Sequence, residues 1–307
     1  MACTIERLAR QGLIRPPRFL PDNVHYETIM GSVAYGVSSD TSDMDIYGFC
    51  IPPKAVLFPH LDGEIPGFGP TRRPFEQYQQ HHVEVPDELA GKGRTYDIAI
   101  FNIVKYFNLA MENNPNMIDS LFTPQSCVLH QTQIGNLVRE SRRLFLHKGC
   151  WPKFKGYAYS QLHKMSAKEP EEGSKRHELR EQFGFDVKFA YHVVRLLSEC
   201  EQILAEGDLD LQEKGRREHM KAIRRGDVSE EDIRKWAADK ERQLEQLYHD
   251  SSLPAVPNIR EVKRLLVHCL EQHYGSLADC ITQPDEALQA LREVQQVLDR
   301  HARLLRQ

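Results

Sequence analysis

No stretch of the 307-residue chain approaches the ~18 consecutive apolar residues that span a bilayer. Residues Met1 to Pro17 place Glu6, Arg7 and Arg10 among apolar residues and lack the hydrophobic run of a secretion signal. A cytoplasmic protein without a membrane partner is therefore expected. Cysteine is sparse, seven in all (Cys3, Cys50, Cys127, Cys150, Cys200, Cys269 and Cys280), odd in number and never spaced as C-x-x-C. That argues against a disulfide framework and a structural zinc, and for reduced, mostly buried thiols. An excess of either charge is also missing: 40 Lys plus Arg stand against 44 Asp plus Glu, a net charge of -4. This excludes a chain whose whole surface is polybasic. Internal repeats and low-complexity tracts are absent, and the fourteen histidines include no H-E-x-x-H spacing. What remains is a folded globular chain with 40% hydrophobic content and a length suited to one large or two moderate domains.

The first third alternates strand and turn. Val24 to Met30 reads as a strand broken by Gly31-Ser32, and Met44 to Ile51 as another ended by Pro52-Pro53. Residues 59–94 carry Pro59, Pro66, Pro70, Pro74 and Pro86 and read as a long irregular insertion containing His81-His82. Tyr96 to Phe101 resumes strand character, and Asn102 to Glu112 is helical, stopping before Asn114-Pro115. Beyond about 130 the periodicity predicts helices over 132–146, 153–167, 176–206, 215–225, 229–248, 258–274 and 284–305. The last carries a stripe of Leu288, Leu291, Val294, Leu298, Ala302 and Leu305 expected to pack on its own domain.

Asp43 and Asp45 alternate with Met44 and Ile46 on a predicted strand, so the two carboxylates share a face. Like charges so placed repel unless a cation neutralises them, and Mg²⁺, which prefers hard oxygen ligands, is the natural one. Gly31-Ser32, at a strand-to-helix turn, gives a phosphate close access to the backbone, and Ser32 supplies a hydroxyl donor. Asp97 opens the apolar run Ile98 to Phe101, which can pair beside the Asp43/Asp45 strand and bring a third carboxylate. Three carboxylates can hold two Mg²⁺ ions for an in-line displacement, with Asp97 as a base toward an attacking hydroxyl.

The set Gly31-Ser32, Ser42-Asp43-Met44-Asp45 and Asp97 resembles the nucleotidyltransferases of the DNA polymerase β superfamily. Asn113-Asn114-Pro115-Asn116 with Leu121-Phe122, Gly156-Tyr157-Ala158 with Gln161, and Gly184 to His192 with Arg195-Leu196-Leu197 are similar to its RlaP-type (YcgL-like) branch. The resemblance covers most of residues 24–270 and implies an α+β chain. Residues 1–130 would be a polymerase-β-type catalytic domain, a small mixed sheet flanked by helices, and 131–307 an all-helical domain binding substrate and nucleotide. It implies Mg²⁺-dependent transfer (Mn²⁺ as a substitute) of NMP from an NTP such as ATP to a hydroxyl, foremost an RNA 3′ end. RNA-repair proteins, RNA ligases among them, would be partners. Transfer to a protein or small-molecule hydroxyl, and a catalytically silent RNA-binding protein, are the alternatives. Asp43, Asp45 and Asp97 would be metal ligands, and Gly31, Ser32 and Ser42 would line the phosphate turn. Val33 and Tyr47 depart from the basic or polar residues that family members often carry there.

Lys188, His192, Arg195 and Glu199 fall on one face of a predicted helix whose opposite positions Phe189, Val193, Leu196 and Leu197 are apolar. Lys188, His192 and Arg195 are expected to contact nucleotide or RNA phosphates. Residues 139–195 hold 13 Lys plus Arg against 7 Asp plus Glu. With Trp151, Phe154, Tyr157 and Tyr159 as stacking surfaces, this segment is the expected RNA track, through Lys153, Lys155, Tyr159 and Lys164.

Overall fold

The computed structural model describes residues 2–38, 43–58, 74–86, 88, 91, 93–167 and 175–275, with 290, 291, 293–295, 297, 298 and 301 near the C-terminus. Five strands form one mixed sheet in the order β3-β4-β2-β1-β5: β1 (Val24–Ile29), β2 (Met44–Cys50), β3 (Gln77–Val85), β4 (Arg94–Asn102) and β5 (Val128–Gln131). β2 and β4 run parallel and the other neighbours antiparallel. β1 is buried along its whole length, including Glu27 and Thr28. Glu27 accepts hydrogen bonds from the Thr4 and Ile5 N–H groups (2.6 and 3.2 Å), capping helix α1 (Thr4–Arg10) with a carboxylate.

Short helices follow β1 and β2: α2 (Gly31–Ala34) and α3 (Lys54–Leu57). β4 runs directly into α4 (Ile103–Met111), capped by the Asn102 side chain on the Lys105 N–H at 2.7 Å. Asn113, at φ +50°, reverses the chain into α5 (Pro115–Phe122), and Asn114 caps it. Sequence reading places only a helix stop at Asn114-Pro115. Proline also starts helices, where its missing N–H costs nothing, and here it does so. β5 is likewise unanticipated, being four residues of mixed polarity.

The insertion expected to be irregular contains β3, nine residues bracketed by Pro74 and Pro86 and paired on β4. As an edge strand rich in Gln and His, it lacks the apolar alternation that reveals strands. Residues 59–73 of the insertion lie outside the described residues.

The second half is helical: α6 (Gln133–Glu140), α7 (Cys150–Ala167), α8 (Lys175–Phe183), α9 (Val187–Glu206), α10 (Lys214–Arg225), α11 (Glu230–Asp250) and α12 (Ile259–Tyr274). The predicted helix over 176–206 is two, separated at Gly184 (φ +84°) and restarted by Asp186, whose carboxylate accepts from the Lys188 and Phe189 N–H groups. α9 packs against α7, α10 and α11. The C-terminal part of its charged stripe is covered like its apolar one, for Arg195 and Glu199 are as buried as Phe189 and Val193 while Lys188 is exposed. α12 returns to the sheet, where His273 meets His25 of β1. The described cysteines are free and buried. Of the predicted 284–305 stripe, Leu288, Ala302 and Leu305 lie outside the described residues. Leu291, Val294 and Leu298 are exposed rather than packed, contrary to expectation. Among the described residues no helix is long and apolar enough to cross a membrane.

Candidate active site

Asp45 and Asp97 are direct register partners on the parallel strands β2 and β4. In-register residues of adjacent strands project from the same face about 4.8 Å apart, so the two carboxylates stand side by side. Burial first, and then the charges of Asp97 and Asp43, push the Asp45 carboxyl up to about 6, while Lys188 and His81 draw it down. Asp43 is exposed immediately before β2.

Gly31 packs against Asp45. Its φ of +66° belongs to the left-handed region, and a Cβ there would collide with Asp45 Oδ2. The turn it opens is closed by hydrogen bonds: Met30 N–H donates to Asp45 O (2.7 Å) and Val37 N–H to Ser32 O (2.9 Å). Ser32 sits half-buried in α2. Ser42 lies outside the described residues.

Sequence reasoning missed the other side of Asp97. The β3–β4 register jumps between Gln80 and Val83, so His81 and His82 together oppose the single residue Asp97. This is a β-bulge, with His82 at φ +54°. The His82 N–H donates to Asp97 Oδ1 at 2.8 Å, and His81 Nδ1 lies 3.5 Å from the same oxygen. The adjacent histidines were the visible signal, but only the bulge brings both to the carboxylate.

Below Asp45 on the same strand face, Tyr47 is half-buried and hydrogen-bonded to the Asn116 side chain. The Tyr157 hydroxyl accepts from Asn114 Nδ2 at 3.1 Å. Asn114, Asn116 and Tyr157 thus tie α5 and α7 to the floor of the site. Lys188, exposed in the first turn of α9, faces the carboxylates. His192 is half-buried one turn on, its ring tilted 33° to the neighbouring Tyr191 ring with centroids 4.3 Å apart.

Arg195 is placed differently from expectation. It is 5% exposed and engaged by Asp119, with the Tyr35 hydroxyl 2.6 Å from Nη1 and Glu199 at 3.7 Å. The Tyr35 hydroxyl donates to Asp119 at 2.8 Å. Periodicity puts Arg195 on the face of Lys188, but α2 and α5 cover that part of the face. Burial lifts the Glu199 carboxyl to about 8; neither of its oxygens has a hydrogen-bond partner among the described residues.

The expected RNA residues divide between settings. Lys153 pairs with Glu112 (3.0 Å), and Lys155 pairs with Glu241 (2.7 Å), which also accepts from the Tyr159 hydroxyl (2.6 Å). Lys155 and Tyr159 line a groove of about 210 Å³ between α7 and α11, whereas Lys153 and Tyr157 lie on the other side of α7. Lys164 is exposed. Trp151 and Phe154 are core residues, unavailable for stacking.

The donors on and beside the interior strands β2 and β4, Asp43, Asp45 and Asp97, are carboxylate oxygens, the chemistry a hard divalent cation requires. Among the described residues no three His, Cys, Asp or Glu side chains are already drawn together as a metal centre. Asp45 is nonetheless the charge that would gain from a cation, and the missing Cβ of Gly31 leaves room beside its Oδ2 that any other residue would fill. The in-register pair Asp45 and Asp97 has the donor chemistry for a hard cation.

This mixed α+β architecture, with in-register aspartates on two parallel strands and a glycine turn against one of them, is of the nucleotidyltransferase class. Residues 5–268 match the profile of RlaP, the RNA repair pathway DNA polymerase beta family. The chain belongs to that family and is an enzyme of the polymerase β superfamily. A solved nucleotidyltransferase-like protein from Exiguobacterium sibiricum 255-15 is similar at 10% identity over 87% of this chain and 79% of that one. Its TM-score of 0.26 is too low to argue from. No curated protein matches the sequence.

Proposed function

We propose that the protein transfers an NMP from an NTP to the 3′ hydroxyl of an RNA during repair, with Mg²⁺ held by Asp43, Asp45 and Asp97. The observation that carries this reading is the in-register Asp45–Asp97 pair, with Gly31 against Asp45. Mg²⁺, or Mn²⁺ in its place, would neutralise charge on the α-phosphate and the departing pyrophosphate.

The chain's own groups do the rest. Gly31 admits a phosphate beside Asp45, where the Ser32 hydroxyl can donate to it. Lys188 supplies a point charge to the triphosphate across from the carboxylates. Asp97, oriented by the His82 N–H, takes the proton of the attacking hydroxyl as the new O–P bond forms and the α–β P–O bond breaks. Residues 1–130 would thus carry the chemistry, and 131–307 would hold substrate against it.

Incubation with each α-labelled NTP, Mg²⁺ and total RNA tests this. Label is expected in RNA with the wild-type chain and lost, with the fold retained, in Asp43→Asn or Asp45→Asn. Label in protein or a small product would reassign the acceptor, and full activity in either variant would remove the mechanism.

A further inference from the structure

The most concentrated positive charge lies outside the segment expected to bind RNA. Helix α10, KGRREHMKAIRR, carries six Lys or Arg and one acidic residue, Glu218. Arg216, Met220 and Ile223 are buried against the core, which turns Lys214, Arg217, Lys221 and Arg224 onto an adjoining face. Spaced i, i+3, i+7 and i+10, the four form a stripe about 15 Å long at 1.5 Å per residue.

This stripe borders the phosphate turn. The Arg217 Cδ packs 3.0 Å from where a Gly36 Cβ would stand, and Arg224 donates to the Val37 carbonyl. Gln212, just before the helix, donates to Ala34 O at 3.1 Å. The Arg224 guanidinium also lies 5.8 Å from the centre of the Tyr191 ring, one turn along α9 from Lys188. Two of the four cations are thereby fixed by packing at the end of the turn that starts over Asp45.

Charge balance separates this helix from α7. There Lys153 and Lys155 are met by Glu112, Glu241 and Glu245. Near the stripe of α10, Glu218 lies 3.8 Å from Arg217 and 3.3 Å from Lys221, and the N-cap carboxylate Glu213, engaged by the Arg216 and Gly215 N–H groups, also senses the Arg217 charge. Four cations against two carboxylates, one of them engaged as the helix N-cap, leave a net positive strip longer than a triphosphate, with room for several phosphates of a strand.

We propose that Lys214, Arg217, Lys221 and Arg224 of α10 form the track for the acceptor's RNA backbone, delivering its end past Gly36–Val37 to the carboxylates. The assignment rests on RNA being the acceptor. Contacts of this kind read phosphates and not bases, so binding is sequence-tolerant and strongly salt-dependent.

The test uses the full chain and a fluorescein-labelled single-stranded RNA 20-mer of mixed sequence, with anisotropy followed across salt concentrations. About four phosphate contacts give a slope of log K against log salt near −3. The double variant K214E/K221E is expected to lose about tenfold or more in affinity and to flatten the slope, with an unchanged melting temperature. Lys214→Gln and Lys221→Gln singly should each weaken binding by a smaller factor. ATP with Mg²⁺, followed by thermal shift, should bind wild type and K214E/K221E alike. K153E/K155E serves as the α7 control and should bind RNA as wild type does. Unchanged RNA affinity in K214E/K221E, loss confined to K153E/K155E, or no RNA binding by wild type would each overturn the track. RNA binding through α10 without any nucleotidyl transfer would instead support the track while removing the proposed reaction.

Discussion

Gly31 has less freedom to change than any other residue of the candidate site. Its φ of +66° strains any L side chain, and a Cβ there would meet Asp45 Oδ2. Gly31→Ala should therefore destabilise the chain by roughly 1–3 kcal/mol and displace Asp45, with transfer lost as well. Denaturant melts alongside the labelling assay check both effects; wild-type behaviour in each would show that the turn does not constrain Asp45. His82 gives the opposite prediction. It adopts φ +54° yet contributes its N–H, not its ring, as the short contact to Asp97. Glycine keeps that N–H and removes the strain, so His82→Gly should raise stability by about 1 kcal/mol and leave transfer within a few-fold of wild type. A large loss of transfer would transfer the function of this position to the imidazole. Asp45, Asp97 and Gly31 were legible in the sequence because their residue types and strand spacing limit what they can do. The histidines were not, since the register jump that places them depends on pairing with β4 and leaves no local pattern.

At the scale of elements, the strands with apolar alternation (β1, β2 and β4) were readable, whereas β3, β5 and α5 depend on neighbours for their definition. α9 shows the limit most clearly. Its period correctly put Lys188, His192, Arg195 and Glu199 on one face, but periodicity does not say which part of a face another helix covers. Tyr35 at the end of α2, Asp119 in α5 and Arg195 in α9 form a buried polar joint connecting the phosphate turn to the helix that presents Lys188. Removing one partner leaves an uncompensated buried charge, so Asp119→Ala should cost on the order of 3–5 kcal/mol. Glu199 gives the joint a pH dependence. Its carboxyl is lifted from 4.5 to about 8 in the fold, so the unfolded chain loses this proton first as pH rises. The stability it contributes is present below pH 4.5 and declines until about pH 8, by at most ~1.4 kcal/mol per pH unit. Glu199→Gln should remove that decline between pH 6.5 and 8 in thermal melts; an unchanged slope would assign it to another group.

Across the whole molecule, the N-terminal sheet and the last long helix meet at two imidazoles 248 residues apart in sequence. His25 Nε2 lies 3.0 Å from His273 Nδ1, and its other nitrogen lies 2.9 Å from the Thr132 hydroxyl. Burial, and then the neighbouring His273 and His130, lower the His25 pKa to about 4. Burial lowers His273 as well. Docked α12 therefore favours neutral rings, one donating to the other, whereas an undocked helix returns both to water and to ordinary protonation. The sign follows: the stability of docking is full above pH 6.5 and is lost as pH falls toward 4. Tyr274 holds the same helix end to the Pro52 carbonyl through a contact that does not titrate in this range. Hydrogen exchange, corrected for intrinsic rates, should show α12 amides losing protection between pH 7 and pH 5 while β1 and β2 hold theirs. In His25→Gln, which keeps a polar group and cannot take up a proton, that loss should be markedly smaller. Equal losses in both proteins would mean that α12 is released by another group and that the histidine pair only fills space.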